Sequence, residues 1–353
     1  DRGEILDRNE MPLAINDIAY EVGIVPGDFS NKEVEIEQVS NLLHISKSNI
    51  IEKVEAEWVQ AEHFVPLKKI PKSDDETIKQ LKLIPAVDLR ETIGRTCPSS
   101  KATSHLVGYF GKVTDEELKD FKGKGYTEND FIGKRGLEKL YEEKLRGEAG
   151  FKILVEHTDE KGDAVLTPIA EKPVKNGENI HLTIDVNLQE LIYEQYEGNL
   201  KGAAAAVHPT TGEILALVSS PSYDPISLTY GISQAQWEAL MNDQGQPFVN
   251  RFAALYAPGS VIKPITGMIG LKNGSITKDE GIVIEGLKWK KSNWKDFYVS
   301  RVSSSTGPVD LKDALIRSDN IFFAMKAVDM GNDRMVDGLE AFGFNEEIPI
   351  DFP

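Results

Sequence analysis

The chain has 353 residues, 40% of them hydrophobic and 27% charged, with a formal net charge of −17. That is length and apolar content enough for two domains and a sizeable core, while so acidic a field repels phosphate backbones and argues against a nucleic-acid partner. The one cysteine, Cys97, excludes an intramolecular disulfide, and no apolar run reaches the roughly 18 residues that a membrane-crossing helix needs.

The chain opens on DRGEILDRNE with no methionine, and is read as a processed or partial form whose own N-terminus carried an anchor. In SNKEVEIEQVSNLLHIS, Ile36, Val39 and Leu43 share a helical face behind a cap at Ser30 or Asn31. SKSNIIEKVEAEW repeats the pattern with Ile50, Val54 and Trp58. Thr114 and Glu117 form a capping box ahead of a helix. RGLEKLYEEKLRG reads as one amphipathic helix with Leu137, Leu140, Tyr141 and Leu145 inward, and FKILVEHTDEKGDAVLT as a hairpin turning near Gly162. Pro168–Asn179 has the Pro, Gly and polar content of a linker.

The texture then changes. IHLTIDVNLQELIYEQY is a strand entering a helix capped near Asp185, with Leu188, Leu191, Ile192 and Tyr196 inward. GAAAAVHPTTGEILALVSS gives two strands around a Pro-Thr-Thr-Gly turn, and its alanines suit a strand buried on both faces. SQAQWEALMND is a helix capped at Ser233. The six histidines (His44, His63, His105, His157, His181 and His208) show no ligand spacing, so no metal and no cofactor are expected.

Chemistry concentrates in APGSVIKPITG. Pro258-Gly259 makes a turn, Ser260 starts a helix that can bury Ile262, Ile265, Met268 and Ile269, and Asn273-Gly274 stops it. Ser260 and Lys263 share a face one turn apart. A serine hydroxyl needs a base to become a nucleophile, and a lysine serves only when burial disfavours its ammonium. An N-capping serine and a surface lysine would give the same spacing, so the pair alone leaves both readings open. A second element, Ser318-Asp319-Asn320, lies between two apolar helical runs. It suits a loop reaching into a cleft, with Ser318 passing a proton and Asn320 holding a substrate amide; a capped helix start is the alternative. Between the two lies KWKKSNWKDFYVSR, where Trp294, Phe297 and Tyr298 either line a substrate groove or belong to a core strand.

Ser-x-x-Lys with Ser-Asp-Asn is two-thirds of the motif set of penicillin-binding proteins and related β-lactamases. The chain resembles a class B penicillin-binding protein over nearly its whole length. The resemblance is carried by DRGEILDRNEMPLA, by GRTCPSSKATSHLVGYFG (with Cys97 where the family usually has tyrosine), by GKRGLEKLYEEKLRGEAG, by AAVHPTTGEILALVSSPSYDP and by VNRFAALYAPGSVIKP. The stretch WKDFYVSR…VDLKDALIRSDNIFFA is most similar to the low-affinity, methicillin-resistance-type branch.

The resemblance implies an α+β chain: an elongated non-catalytic pedestal over 1–176, then over 177–353 the N-terminal portion of a transpeptidase domain, an antiparallel sheet flanked by helices. It implies a D,D-transpeptidase that acylates Ser260 with a stem peptide ending in D-Ala-D-Ala. Lys263 is then the base, Ser318 a proton relay and Asn320 a substrate holder, and β-lactams acylate the same serine. A glycosyltransferase or a division or elongation complex is the implied partner, at the extracytoplasmic face of a bacterial membrane. Arg2, Arg8, Arg95 and Glu138 fall in non-catalytic family motifs and are expected to hold structure together. The family's Lys-Thr/Ser-Gly motif does not occur in these 353 residues, so the stretch by itself is expected to be inactive, poorly stable and short of sheet strands. A serine β-lactamase, a D,D-carboxypeptidase and a non-catalytic sensor or scaffold are the alternatives.

Overall fold

The computed structural model describes residues 1–128, 130–158, 164–348 and 350. Two compact units, Asp1–Ala254 and Leu255–Ile350, follow each other along the chain. Both mix short strands and helices in an α+β architecture.

In the first unit, β1 (Ile5–Leu6) turns back into β2 (Pro12–Ile24), and β3 (Val65–Pro71) and β4 (Val87–Thr96) run antiparallel along the two sides of β2. Three helices, α1 (Lys32–Leu43), α2 (Lys47–Val54) and α3 (Asp75–Leu81), pack on this sheet. Ile36, Val39 and Leu43 form the expected buried face of α1, joined by Ile50, Val54, Ile78, Leu81, Val22 and Ile24. Asn31 is the cap, accepting from the Val34 amide. Glu35 is buried on the same face, and its carboxylate accepts from the amides of Ser30, Asn31 and Ala86. Trp58 does not continue the face of α2: the helix ends at Val54, and the indole is 66% exposed.

Next come α4 (Ser100–Val107), β5 (Phe110–Lys112), α5 (Asp115–Asp120) and β6 (Phe131–Gly133). The predicted capping box starts α5, with Thr114 and Glu117 bonded reciprocally. The one helix expected after Arg135 is two, α6 (Gly136–Leu140) and α7 (Glu142–Leu145), separated at Tyr141, whose φ of −102° and ψ of 24° leave the helical basin. The break turns Leu140 outward and Glu142 inward.

That inward turn completes a buried ion cluster. Glu138 accepts from Arg2 Nε at 2.7 Å and from Arg95 Nε at 2.9 Å, while Arg2 Nη2 donates to Glu142 at 2.7 Å. Burial by itself would lower the Arg2 pKa, but Glu138 and Glu142 more than reverse that and raise it. Three of the four family-motif residues therefore act on each other; the fourth, Arg8, reaches Glu213 at 3.4 Å near the surface. Cys97 is buried nearby, and burial and the Glu138 charge push its thiol up to about 12, which removes it as a nucleophile.

The expected hairpin is β7 (Phe151–Thr158) and β8 (Ala164–Lys172), and its turn near Gly162 lies outside the described residues. The stretch expected as a linker is built into the unit instead. Pro168–Lys172 belongs to β8, Lys175 bridges to Glu148, the Gly177 amide donates to Asp1 O, and β9 (Ile180–His181) pairs parallel with β1. Its backbone is paired with β7, Glu148 and Asp1 although most of its residues remain exposed.

In α8 (Val186–Glu194), capped by Asp185 as expected, the buried residues are Val186 and Gln189. Leu191 is 57% exposed, and Leu188, Ile192 and Tyr196 are half-buried. Gln189 goes inward because its amide bonds Ala102 O, Leu217 O and the Leu217 amide. The two strands after it are β10 (Gly202–Val207) and β11 (Ile214–Ser220), antiparallel. Contrary to the two-face expectation, Ala205 and Val207 are exposed, because β10 has β11 as its one strand neighbour among the described residues. Two helices follow, α9 (Pro225–Tyr230) and α10 (Gln234–Asn242), the second started by a Ser233–Gln236 capping box.

The second unit contains α11 (Lys263–Asn273), a small hairpin of β12 (Lys288–Trp289) and β13 (Val299–Ser300), then α12 (Leu311–Ile316), α13 (Asn320–Met330) and α14 (Asn332–Glu340). Its core joins Ile276, Ile284, Val309, Leu311, Ala314, Ile321, Phe322 and Phe323. On α11, Ile269 is buried as predicted but Met268 is 48% exposed. Thr266, Gly267 and Gly270 take the inward positions, where Gly267 leaves room for Leu311 and Phe323 and Gly270 for Ile276, while α14 approaches through its own Gly338 against Ile269.

Candidate active site

Ser260 does not begin the α-helix. It sits in a single 3-10 turn, Gly259–Ile262, and α11 starts at Lys263. Gly259 has φ +57°, left-handed backbone that favours glycine, and this kink sets the serine in front of the helix. Ser260 is exposed and Lys263 is buried, at 8% relative accessibility. The lysine in an apolar run is thus an inward side chain, and its Nζ lies 6.0 Å from the centre of the Phe323 ring.

Ser318-Asp319-Asn320 is a capped helix start, and its outer two residues also face Lys263. Asp319 caps α13, its Oδ1 accepting from the Ile321 and Phe322 amides at 2.9 and 3.2 Å. The residues on either side of the cap turn toward Lys263. Lys263 Nζ lies 3.1 Å from Ser260 Oγ, 2.9 Å from Ser318 Oγ, 2.7 Å from Ser318 O and 2.5 Å from Asn320 Oδ1. The two hydroxyls are 2.8 Å apart. Ser318 takes φ +53°, a strained conformation for a side chain with a Cβ.

The count of donors around Nζ matters. Ser318 O and Asn320 Oδ1 can only accept, so they occupy two N–H bonds. A neutral amine has two, and its lone pair then faces the two serine hydroxyls. Burial lowers the Lys263 pKa from the ordinary lysine value, with the negative charge of Asp319 opposing the shift. The arrangement can therefore take a proton from Ser260 directly or through Ser318.

Sequence reasoning gave no role to Arg301 and saw Asp319 only as a cap. Their side chains form an ion pair at 2.9 Å, each about 1% exposed. Arg301 also donates to Ile284 O and Gly286 O. This fixes Asp319, and through it the turn that aims Ser318 and Asn320. A signal was available: an arginine ends the aromatic stretch, and an unpaired buried carboxylate in Ser-Asp-Asn calls for a cation.

Of the aromatic residues, Trp294 is half-buried and packs edge-on against Trp289 and Phe297. Phe297 and Tyr298 are exposed, with Lys288 Nζ 4.2 Å from the Tyr298 ring centre. The strand they lead into is tied to the site, because Asn320 Nδ2 donates to Ser300 O at 3.0 Å.

Residues 1–182 match the Penicillin-binding Protein dimerisation domain family, and residues 202–353 match the Penicillin binding protein transpeptidase domain family. Penicillin-binding protein 3 of Bacillus subtilis is 43% identical over 354 residues, covering 100% of this chain and 52% of the relative. Peptidoglycan D,D-transpeptidase MrdA of Escherichia coli is 29% identical over 359 residues, covering 99% of this chain and 56% of the relative. Among solved structures, the Penicillin-Binding Protein (PBP2) from Helicobacter pylori superposes with a TM-score of 0.71 at 26% identity, over 100% of this chain and 66% of that one. The same protein in a complex with MreC gives 0.73 at 26% identity, over 100% and 65%. The chain thus spans about half the length of the curated relatives it matches.

Proposed function

The chain belongs to the penicillin-binding proteins, and we propose that it is the Ser260-bearing part of a peptidoglycan D,D-transpeptidase. The observation that carries this reading is the triangle of Ser260 Oγ, Lys263 Nζ and Ser318 Oγ, with every side at 3.1 Å or less. Ser260 Oγ attacks the carbonyl of the penultimate D-alanine as Lys263 takes its proton. The leaving D-alanine amine receives a proton returned through Ser318, and the acyl group stays on Ser260. An amine of a second stem peptide then attacks the ester, loses a proton to the same relay and frees the serine. Asn320, with its Nδ2 and Oδ1 both held, orients the donor peptide, and Trp294, Phe297 and Tyr298 flank the groove that receives it. No cofactor takes part.

We assign residues 1–176 to the non-catalytic pedestal and 177–353 to the catalytic domain; a two-part order of this kind is supported by one family match over 1–182 and a second over 202–353. Because the substrate is cell-wall peptide, the site of action is the extracytoplasmic face of a bacterial membrane. No helix among the described residues is long and apolar enough to cross a membrane. The resemblance to MrdA and to a PBP2 solved with MreC favours a partner of the elongation type.

The whole protein treated with a labelled penicillin is expected to carry a long-lived adduct, located by peptide mass spectrometry on Ser260. Rapid release of hydrolysed drug would instead mark a β-lactamase, and absence of any adduct removes the catalytic reading. Ser318→Ala and Ser318→Gly are both expected to slow acylation by about 10²-fold, since each removes the relay hydroxyl. The glycine variant should be the more stable of the two by about 1 kcal/mol, because it relieves the positive φ. Equal acylation by the alanine variant and the wild type would take Ser318 out of the mechanism.

A further inference from the structure

The hairpin of β12 and β13 has two unlike faces. Trp289 and Val299, opposite each other in the ladder, pack against the core of the second unit. Side chains alternate across a strand, so the other opposed pair, Lys288 and Ser300, takes the outer face, where both are exposed. Lys288 Nζ stands 4.2 Å from the centre of the Tyr298 ring. A ring face holds an ammonium in place without neutralising it. Carboxylates pair with Arg301, Arg317 and Lys326 in this unit, but none pairs with Lys288 among the described residues. Of the other lysines in the stretch, Lys290 is drawn back onto Lys295 O at 2.9 Å, and Lys291 and Lys295 lie beyond the ladder.

This positioned charge stands next to the catalytic residues. Ser300 O accepts from Asn320 Nδ2 at 3.0 Å, and Asn320 Oδ1 lies 2.5 Å from Lys263 Nζ. Lys288 is one strand beyond Ser300. Those links put Lys288 roughly 10 Å from Ser260, and an extended peptide advances about 3.4 Å per residue. A donor with its scissile carbonyl at Ser260 therefore brings to Lys288 a group two or three residues from that bond. The leaving side offers one residue, so the group belongs to the acyl side.

Resting on the transpeptidase reading of the site, we propose that Lys288 is a specificity residue for the donor. Its ammonium, held over Tyr298, pairs with a free carboxylate two or three residues before the scissile bond. The site then prefers an acidic stem peptide to one whose carboxylate is an amide. A phosphate polymer fits less well. The arginine of the stretch, which could fork a phosphate, is bound to Asp319. A long anion also meets the field of a chain with net charge −17, whereas one carboxylate senses what lies within the screening length, about 8 Å at physiological salt.

The test uses the full-length protein and two synthetic peptides ending in D-Ala-D-Ala. They differ in one group, a glutamate carboxylate or its amide two residues before the acylating alanine. The readout is the ratio of kcat/KM for release of D-alanine from the two. Wild type is expected to favour the acid about fivefold at low salt, the worth of one exposed pair. The preference should fade near 1 M salt, where the screening length is about 3 Å. Lys288→Arg should keep it, Lys288→Gln should abolish it and Lys288→Glu should reverse it. Lys272→Glu, the same charge change at the far end of α11, should leave the ratio as in wild type. A labelled penicillin with an uncharged side chain should acylate Lys288→Glu and wild type alike. No adduct on wild type would defeat the transpeptidase reading itself, and this inference with it. An adduct with equal turnover of the two peptides would overturn the role of Lys288 alone. So would a Lys272→Glu variant that reverses the preference, or a Lys288→Glu variant that is slow with penicillin as well.

Discussion

Replacing Lys263 by glutamine is expected to slow acylation of Ser260 by about 10²–10⁴-fold, the range of a lost general base, with little change in thermal stability. Glutamine keeps two N–H bonds, which can still serve Ser318 O and Asn320 Oδ1, the two obligate acceptors around Nζ. It loses the lone pair, the one feature that accepts the Ser260 proton. The pH profile separates this from a structural effect. Wild-type acylation should rise with pH as the ammonium loses its proton and level off above the Lys263 pKa, and burial places that point below the ordinary lysine value. The glutamine variant should show no such rise. The same lowered pKa has a stability consequence of opposite convenience. The folded state carries a penalised ammonium at low pH, and the penalty fades as pH climbs through the folded pKa toward the unfolded one. A glutamine variant that retains a tenth or more of the wild-type rate would falsify the assignment of Lys263 as base.

The parts of this fold that were legible in the sequence are those written in local chemistry. Asn31, Thr114, Asp185 and Ser233 cap the helices expected of them, because a short polar side chain before an apolar run has one good use. The pairing of Ser260 with Lys263 was legible as spacing, and Ser318 and Asn320 as a polar break in an apolar run; the four side chains meet around one nitrogen. What was not legible depends on partners distant in the chain. Periodicity assigned Leu191 to the inside, but Gln189 goes there to satisfy backbone groups of α4 and β11. Periodicity also ran one helix through Tyr141, whereas the demand for a second carboxylate near Arg2 favours a break that turns Glu142 inward. The polar content of 168–179 reads as a linker because composition cannot show that β7, Glu148, Lys144 and residues 1–4 supply its hydrogen bonds. Arg301 escaped notice for the same reason: a buried ion pair with Asp319 has no periodic signature.

Glu138→Ala should destabilise the first unit by about 3–5 kcal/mol, the usual consequence of leaving a buried charge without its partner. Glu138 is 1% exposed and holds two guanidiniums, Arg2 and Arg95, whose side chains are 8% and 3% exposed. After the substitution Arg2 still has Glu142, but among the described residues no salt bridge to another carboxylate holds Arg95. For a unit of this size the loss corresponds to a drop in melting temperature of about 10 °C. Arg2→Ala should cost less, because Glu138 keeps Arg95 and Glu142 keeps the Gly133 amide and the Tyr126 hydroxyl. The sharper comparison removes both arginines and Glu138 together. R2M/R95M/E138L exchanges these three ions for apolar volume, leaves Glu142 to the Gly133 amide and the Tyr126 hydroxyl, and should be more stable than Glu138→Ala alone, since much of the single variant's deficit is the desolvation of an unpaired arginine rather than the worth of the pair. Equal losses for the single and triple variants, or a loss below about 1 kcal/mol for Glu138→Ala, would show that water reaches the cluster and that these family-motif residues do not hold the unit together by charge.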